Sequence, residues 1–452
     1  MRVQDMSRRI TAEFPFVERF DEVAAGLPGA GLHWLDALRR DSLDAFNRVA
    51  LPSTRVEAWK YTNLKDFAKT PFDIAVSGEG DPSVDLDGAG AGGPDAEHRL
   101  VFLNGRFDAG RSRAGSVREG LTVLSLGEAL RRQAQVVRPH IERLSPLEDE
   151  ALLALNTAFM MDGCVVVVDD GATVDRPIEL IFASDTRSPT SAHPRNLVVA
   201  GAGSRVALTE THVGIGPSEY WSNPVTEVVV AAGASVVHRK VQRESPRAYH
   251  LANTRVTLAE RGTYRAFLMS VGAGLSRCEI EARLEGEGAD CRLDGIYLAR
   301  DRQHTDITTR IVHAEPGGSS RQLFKGVLDG RSHGVFQGQI SVSPDAQRPD
   351  GHQLNKTLLL SNEAEIDTKP DLEIYADDVK SSHGAAAGQL DELESFYLRS
   401  RGLDAEEARQ VLIRAFIAEV VEAVEDEPFR NHLNASIDGW LSHEAAARET
   451  GT

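Results

Sequence analysis

The chain has 452 residues, 41% hydrophobic and 26% charged, with a formal net charge of −18. That is length for two or three structural units and the composition of a soluble globular protein, while a field of that sign repels phosphate backbones and excludes nucleic acid as a partner. Cys164, Cys278 and Cys291 are far apart and odd in number, which excludes a disulfide framework and a CxxC metal site.

The N-terminus, MRVQDMSRRITAEFPF, has no apolar signal-peptide region, and the aliphatic runs, such as Val165–Val168, are too short for a membrane span. The expectation is a cytoplasmic protein with no membrane partner. Residues 1–74 read as helical: GLHWLDALRRDSLDAFNRVAL places Trp34, Leu35, Leu38, Leu43 and Phe46 roughly on one face. Residues 75–99, rich in Gly, Asp and Pro, read as a flexible linker.

From 100 to 376 the pattern is one of short apolar or alternating runs rich in β-branched residues, separated by small turns. Gly171, Gly203, Gly233, Gly262, Gly288 and Gly318 each sit in such a turn, at intervals of 32, 30, 29, 26 and 30 residues. A loose repeat of that size in an all-β region predicts stacked coils, a parallel β-helix. A β-sandwich with evenly spaced hairpins is the alternative, although about 275 residues is large for one sandwich.

Residues 377–452 read as a turn over Asp377–Glu392 followed by a C-terminal helical region. DELESFYLRSRGL ends on Gly402, suited to a helix C-terminus. DAEEARQVLIRAFIAEVVEAV opens with Asp404 and Glu407 at capping-box spacing and carries Leu412, Phe416 and Val420 on one face, widened by Ile413, Ile417, Val421 and Val424. PFRNHLNASIDGWL adds a short helix.

Motifs for independent catalysis are missing. There is no GxxxxGK[ST], no HExxH and no GxSxG, and no Lys follows a Gly. His304, His313, His333, His352 and His383 crowd the end of the β region, where neutral imidazoles could ligate a metal; taken singly, each reads as a turn or edge-strand histidine. Asp377 and Asp378 would point to opposite faces of an extended strand and so would not share a proton.

Longer words then carry a resemblance. DTKPDLEIYADDVKSSHGAAAGQLDELESFYLRSRGL, residues 367–403, resembles the signature region of the SufB/SufD family of iron–sulfur cluster assembly proteins. HTDITTRIVHAEPGGSSRQLFKGVLDGRSHGVFQGQISV continues the likeness upstream, and VEAWKYTNL, Val56–Leu64, is similar to the N-terminal motif of the SufD branch. The resemblance implies a right-handed parallel β-helix core flanked by helical regions. It implies a non-catalytic scaffold subunit that pairs with a SufB-like subunit and binds a SufC-like ABC ATPase through its C-terminal helices. ATP would be hydrolysed by that partner, in keeping with the missing phosphate loop. The cofactor implied is a transient iron–sulfur cluster shared with the SufB-like subunit; use of a reduced flavin by the complex is left open.

The resemblance also places His383, the histidine of the SHGA motif, at the SufB interface as a ligand of the nascent cluster. Imidazole is a sound ligand for exchangeable iron, and mixed Cys/His iron–sulfur centres exist. Family members often carry Cys two positions earlier, where this chain has Ser381, a far weaker ligand. Arg399, Arg401, Leu412, Phe416, Ile417 and Val420 are the expected ATPase docking region. Two alternatives stay open: a homodimer acting without a SufB-like subunit, and a β-helix enzyme acting on acidic polysaccharide, against which the acidic charge argues.

Overall fold

The computed structural model describes residues 9–12, 14–75, 86, 96–113, 119–143, 150–216 and 218–450. Most of the expected linker lies outside them. The β-rich pattern becomes two facing walls of parallel strands, because the chain alternates between them. The first wall runs Cys164–Val168, Arg195–Ala200, Val225–Val230, Tyr249–Leu258, Leu275–Leu284, His304–His313, His333–Val342 and Glu365–Ile374. The second runs Ile178–Ser184, Arg205–Gly214, Ser235–Arg243, Thr263–Ser270, Asp290–Ala299, Ser319–Leu328, Asp350–Leu359 and Lys380–Gly388. Each strand pairs in parallel with the one before it in its own wall, as in Asp290↔Ser319↔Asp350↔Lys380. This is a parallel β-solenoid, as the repeat predicts. The hairpins of a sandwich would pair antiparallel.

The recurrent glycines have a local cause. Gly171, Gly203, Gly233, Gly288 and Gly317 adopt φ between 66° and 73°, the left-handed region that L side chains avoid. Gly262 and Gly318 stand one position after the left-handed residue of their turns, which are Arg261 and Gly317. The repeat read from the sequence is therefore real, with two of its six markers displaced by one.

Strand residues alternate between the interior and the outer faces of the walls. The interior is filled by residues such as Val166, Leu208, Val236, Leu293 and Phe324, all buried. Two further strands outside the pattern, Leu121–Ser125 and His98–Leu103, extend the walls at the N-terminal end. The helices Leu126–Arg132, Ala134–Arg143 and Ala151–Phe159 lie inside the stretch with the β-rich reading.

Four helices matter below: α1 (His33–Val49), α2 (Glu392–Ser400), α3 (Ala405–Val421) and α4 (Glu427–Thr450). α1 buries Leu35 and Phe46, with Trp34, Leu38 and Leu43 half-buried beside them. α3 and α4 cover the outer face of the second wall: Ile413, Ile417, Val420, Leu433 and Trp440 pack on Met269, Ile296, Leu298 and Val327. The expected capping box is formed, with Asp404 accepting from Glu407 N at 2.8 Å and Glu407 Oε2 accepting from Asp404 N at 2.9 Å. Gly402 follows α2 with φ 103°. α4 runs to Thr450, beyond the short helix expected, because SHEAAARET continues it with good helix formers. Among the described residues no helix is long and apolar enough to cross a membrane.

Candidate functional site: the open end of the solenoid

The stretch Asp377–Glu392 is not one turn. Asp377 and Asp378 form an exposed bend, and Lys380–Gly388 is the last strand of the second wall. Asp378 is fixed by backbone contacts, donating its N–H to Gln347 Oε1 at 3.0 Å and accepting from Arg348 N at 2.7 Å. The two carboxylates are not assembled as an acid pair by any contact with each other.

His383 stands in register with Gln353, which stands in register with Gln322 and that with Leu293. Leu293, Gln322 and Gln353 are buried side chains of the interior. Side chains in register share a face of a parallel sheet, so His383 continues this interior column at the place where no further strand covers it. It is exposed for that reason. Ser381 ends a second column, Cys291–Ser320–Gly351–Ser381, and is half-buried. Gly384 is inside the strand, and a Cβ there would meet Leu354 Cδ1 at 2.9 Å.

Among the described residues, Glu365–Ile374 and Lys380–Gly388 are the terminal strands of their sheets, each paired on one side only. Their free edges carry unpaired backbone donors and acceptors. Ile374 and Tyr375 beside them are 38% and 63% exposed. The last turn of the solenoid is thus an uncovered surface with one imidazole on it.

The other four histidines are dispersed. His304 and His333 touch in the first wall, ring centroids 4.8 Å apart, and His333 Nε2 lies 2.8 Å from Asp367. Burial pushes His304 down to about 4. His313 is buried at the other end of its strand against Ser320 Oγ, 2.8 Å away. His352, in the second wall, is held between Asp350 and Ser382, each at 2.6 Å. Among the described residues these five do not form a three-ligand group.

The expected docking residues divide. Ile417 and Val420 are 2% and 1% exposed, consumed by packing on the chain's own second wall. Phe416 is half-buried beneath the Lys325 ammonium, 5.0 Å from its ring centre, and Leu412 is half-buried. Arg399 and Arg401 are exposed, Arg401 stacking on the Tyr397 ring at 5.0 Å. The exposed apolar groups lie next to them on α2: Leu393, Phe396 and Tyr397 are 78%, 71% and 56% exposed, with Val411 of α3 at 41%. α2 is capped by Asp391, which accepts from Leu393 N and Glu394 N, and it has no buried residue.

The motif Val56–Leu64 lies across four successive strands of the first wall. Arg277 sits over the Trp59 ring at 4.0 Å, and Thr62 hydrogen-bonds to Asp306 and, at 2.9 Å, to His304 Nε2. Gln337 donates to Ala58 O at 3.2 Å, and Lys369 pairs with Glu57 at 2.7 Å. This strap reaches the last strand of its wall. The sequence held the motif but no signal of what it clasps.

All three cysteines are buried. Burial pushes the Cys164 and Cys291 thiols far above their ordinary range. Thiolate chemistry needs a low pKa and access, so this chain presents no sulfur nucleophile on its surface.

The family model described as SUF system FeS cluster assembly, SufBD core domain, matches residues 182–416, and that of the SufBD protein N-terminal region matches residues 11–180. The chain is 32% identical over 399 residues to an iron–sulfur cluster assembly SufBD family protein of Synechocystis, covering 85% of this chain and 86% of that one. It is 30% identical over 402 residues to the iron–sulfur cluster assembly protein SufD of Escherichia coli, covering 86% and 89%. With SufD of Bacillus subtilis it shares 25% over 414 residues, covering 90% and 93%.

Proposed function

For a chain that belongs to the SufB/SufD family of iron–sulfur cluster assembly proteins and is SufD-like, we propose the role of a scaffold subunit without catalytic activity of its own. It joins a SufB-like subunit through the last turn of its solenoid and holds a nascent iron–sulfur cluster at that junction. The observation that carries this reading is the uncovered end, where two free strand edges flank His383. Unpaired edges of that length are templates for another chain. His383 supplies one neutral nitrogen to iron there, and the thiolates come from the partner, since this chain's cysteines are buried. Ser381 adds no comparable ligand.

A SufC-like ABC ATPase docks on the C-terminal helices in this reading and hydrolyses the ATP. The exposed side chains of α2, with Arg399 and Arg401, are the groups available to it; Ile417 and Val420 act from beneath by holding α3 in place. Pairing of two copies of this chain through the same free edges is the competing reading.

The test is anaerobic co-expression with a SufB-like subunit and a SufC-like ATPase. His383→Ala is expected to leave the subunit ratio unchanged and to lower the iron and acid-labile sulfide retained by the complex. Wild-type iron and sulfide in the variant would remove His383 from the site.

A further inference from the structure

Far from the open end, the interior of the solenoid turns polar. Along Arg205–Gly214, Val206 and Leu208 are followed on the same face by Glu210 and His212, and along Ser235–Arg243 the register partners are Val236, His238, Lys240 and Gln242. All of these are buried. Glu210 holds Lys240 Nζ at 3.0 Å, His238 Nε2 at 3.0 Å and His212 Nε2 at 2.6 Å. That leaves His212 Nδ1, which makes no hydrogen bond.

From the opposite wall, His250 brings its imidazole to the same place, its ring centre 4.8 Å from that of His212 and its plane inclined by 70°. Glu244, at the corner between the walls, lies with Oε2 2.6 Å from His250 Nδ1. His250 also has the buried Cys278 thiol as a side-chain hydrogen-bond partner. One ligand atom from each of His212, Glu244 and His250 lies within 4.8 Å of the others, the one such group among the described residues. An unpaired buried ring nitrogen such as His212 Nδ1 is costly unless something satisfies it. Charge points the same way: among the described residues, Lys240 is the one Lys or Arg paired with Glu210 or Glu244 in this part of the interior.

We propose that His212, Glu244 and His250 form a buried site for one divalent first-row transition-metal ion. Two imidazoles and a carboxylate suit iron(II), zinc(II) or cobalt(II), whereas calcium and magnesium call for oxygen ligands. Glu210 completes the arrangement: accepting the Nε2–H of His212, it fixes the tautomer that presents Nδ1 inward, the role a carboxylate plays behind a ligating histidine. The site is six strands along the second wall from His383, so it is separate from the cluster position and does not depend on that reading. Its ion bridges both walls and the corner between them.

Because the three ligands are buried, the ion enters as the chain folds. The test is to refold the full chain with cobalt(II), desalt it, and measure retained metal and the visible cobalt absorption. About one cobalt per chain is expected, displaced when zinc(II) or iron(II) is supplied in its place during refolding. Glu244→Gln and His250→Gln are expected to lower retention at least about tenfold, while His383→Ala retains it. A folded wild-type chain that keeps no cobalt would overturn the site and leave a proton on His250 as the balancing charge. So would equal retention by folded Glu244→Gln and His250→Gln chains. If those variants fail to fold, X-ray absorption of the cobalt-loaded wild type decides: scattering from two imidazoles is expected, and its absence would overturn the site.

Discussion

His383 and His193 show what position does to the same side chain. His383 ends an interior column in the open, so its removal disturbs little of the fold; His383→Ala is expected to change the free energy of unfolding by less than about 0.5 kcal/mol, measured by denaturant titration. His193 is fully buried among Phe16, Phe159 and Trp221, and burial pushes it down to about 3. The unfolded chain, near the ordinary 6.5, takes up the proton first as pH falls. The stability that neutral His193 contributes is therefore complete above about pH 6.5 and lost progressively toward about 3, by up to about 1.4 kcal/mol per pH unit. His193→Gln, which keeps an acceptor for Asn223 Nδ2, should flatten the fall in denaturant midpoint between pH 6.5 and 5. An unchanged slope would place the acid sensitivity in other groups.

At the scale of elements, the turn and strand chemistry was legible because it is local. Gly at left-handed positions and alternation along each strand are written residue by residue, and so are the Asp404–Glu407 box and the Gly402 stop. What each face meets is not local. The face holding Leu412, Phe416, Ile417 and Val420 has the same helical period whether it meets a partner or the chain's own wall, and only the packing on Met269, Ile296 and Val327 decides. The exposed trio of α2 is accordingly the better probe of ATPase docking: Phe396→Ser with Tyr397→Ser should weaken ATPase binding with little loss of stability, measured by titration of the purified ATPase. Phe416→Ser would confound binding with lost packing. Close approach inside the solenoid is equally non-local. A Cβ on Gly326 would fall 2.1 Å from the Tyr297 ring, so Gly326→Ala should cost about 1–3 kcal/mol or more by thermal unfolding. A cost near zero would mean that the ring moves freely in the interior.

For the whole molecule, the near-30-residue repeat was enough to prefer a solenoid, because every turn of the coil reuses one pattern. The end of the coil could not be read that way. Nothing in the spacing of SSHGAAAG distinguishes a turn from a last strand, since the alternation of a covered strand is lost where one side faces solvent. The strap at Val56–Leu64 joins residues some 200 to 300 positions apart, a separation no local pattern encodes. Both features converge on the last turn: the strap ties down the first wall there, and the free edges and His383 remain open. The central claim is that this end receives a SufB-like subunit. Light scattering of the purified chain mixed with that subunit tests it most directly, comparing wild type with Ala385→Glu and Ala387→Glu, exposed positions on the last strand. The account predicts a one-to-one heterodimer for the wild type and its loss in both variants, with the ATPase still bound to each. A heterodimer that survives both charges, or a wild-type chain that pairs only with itself, would contradict it.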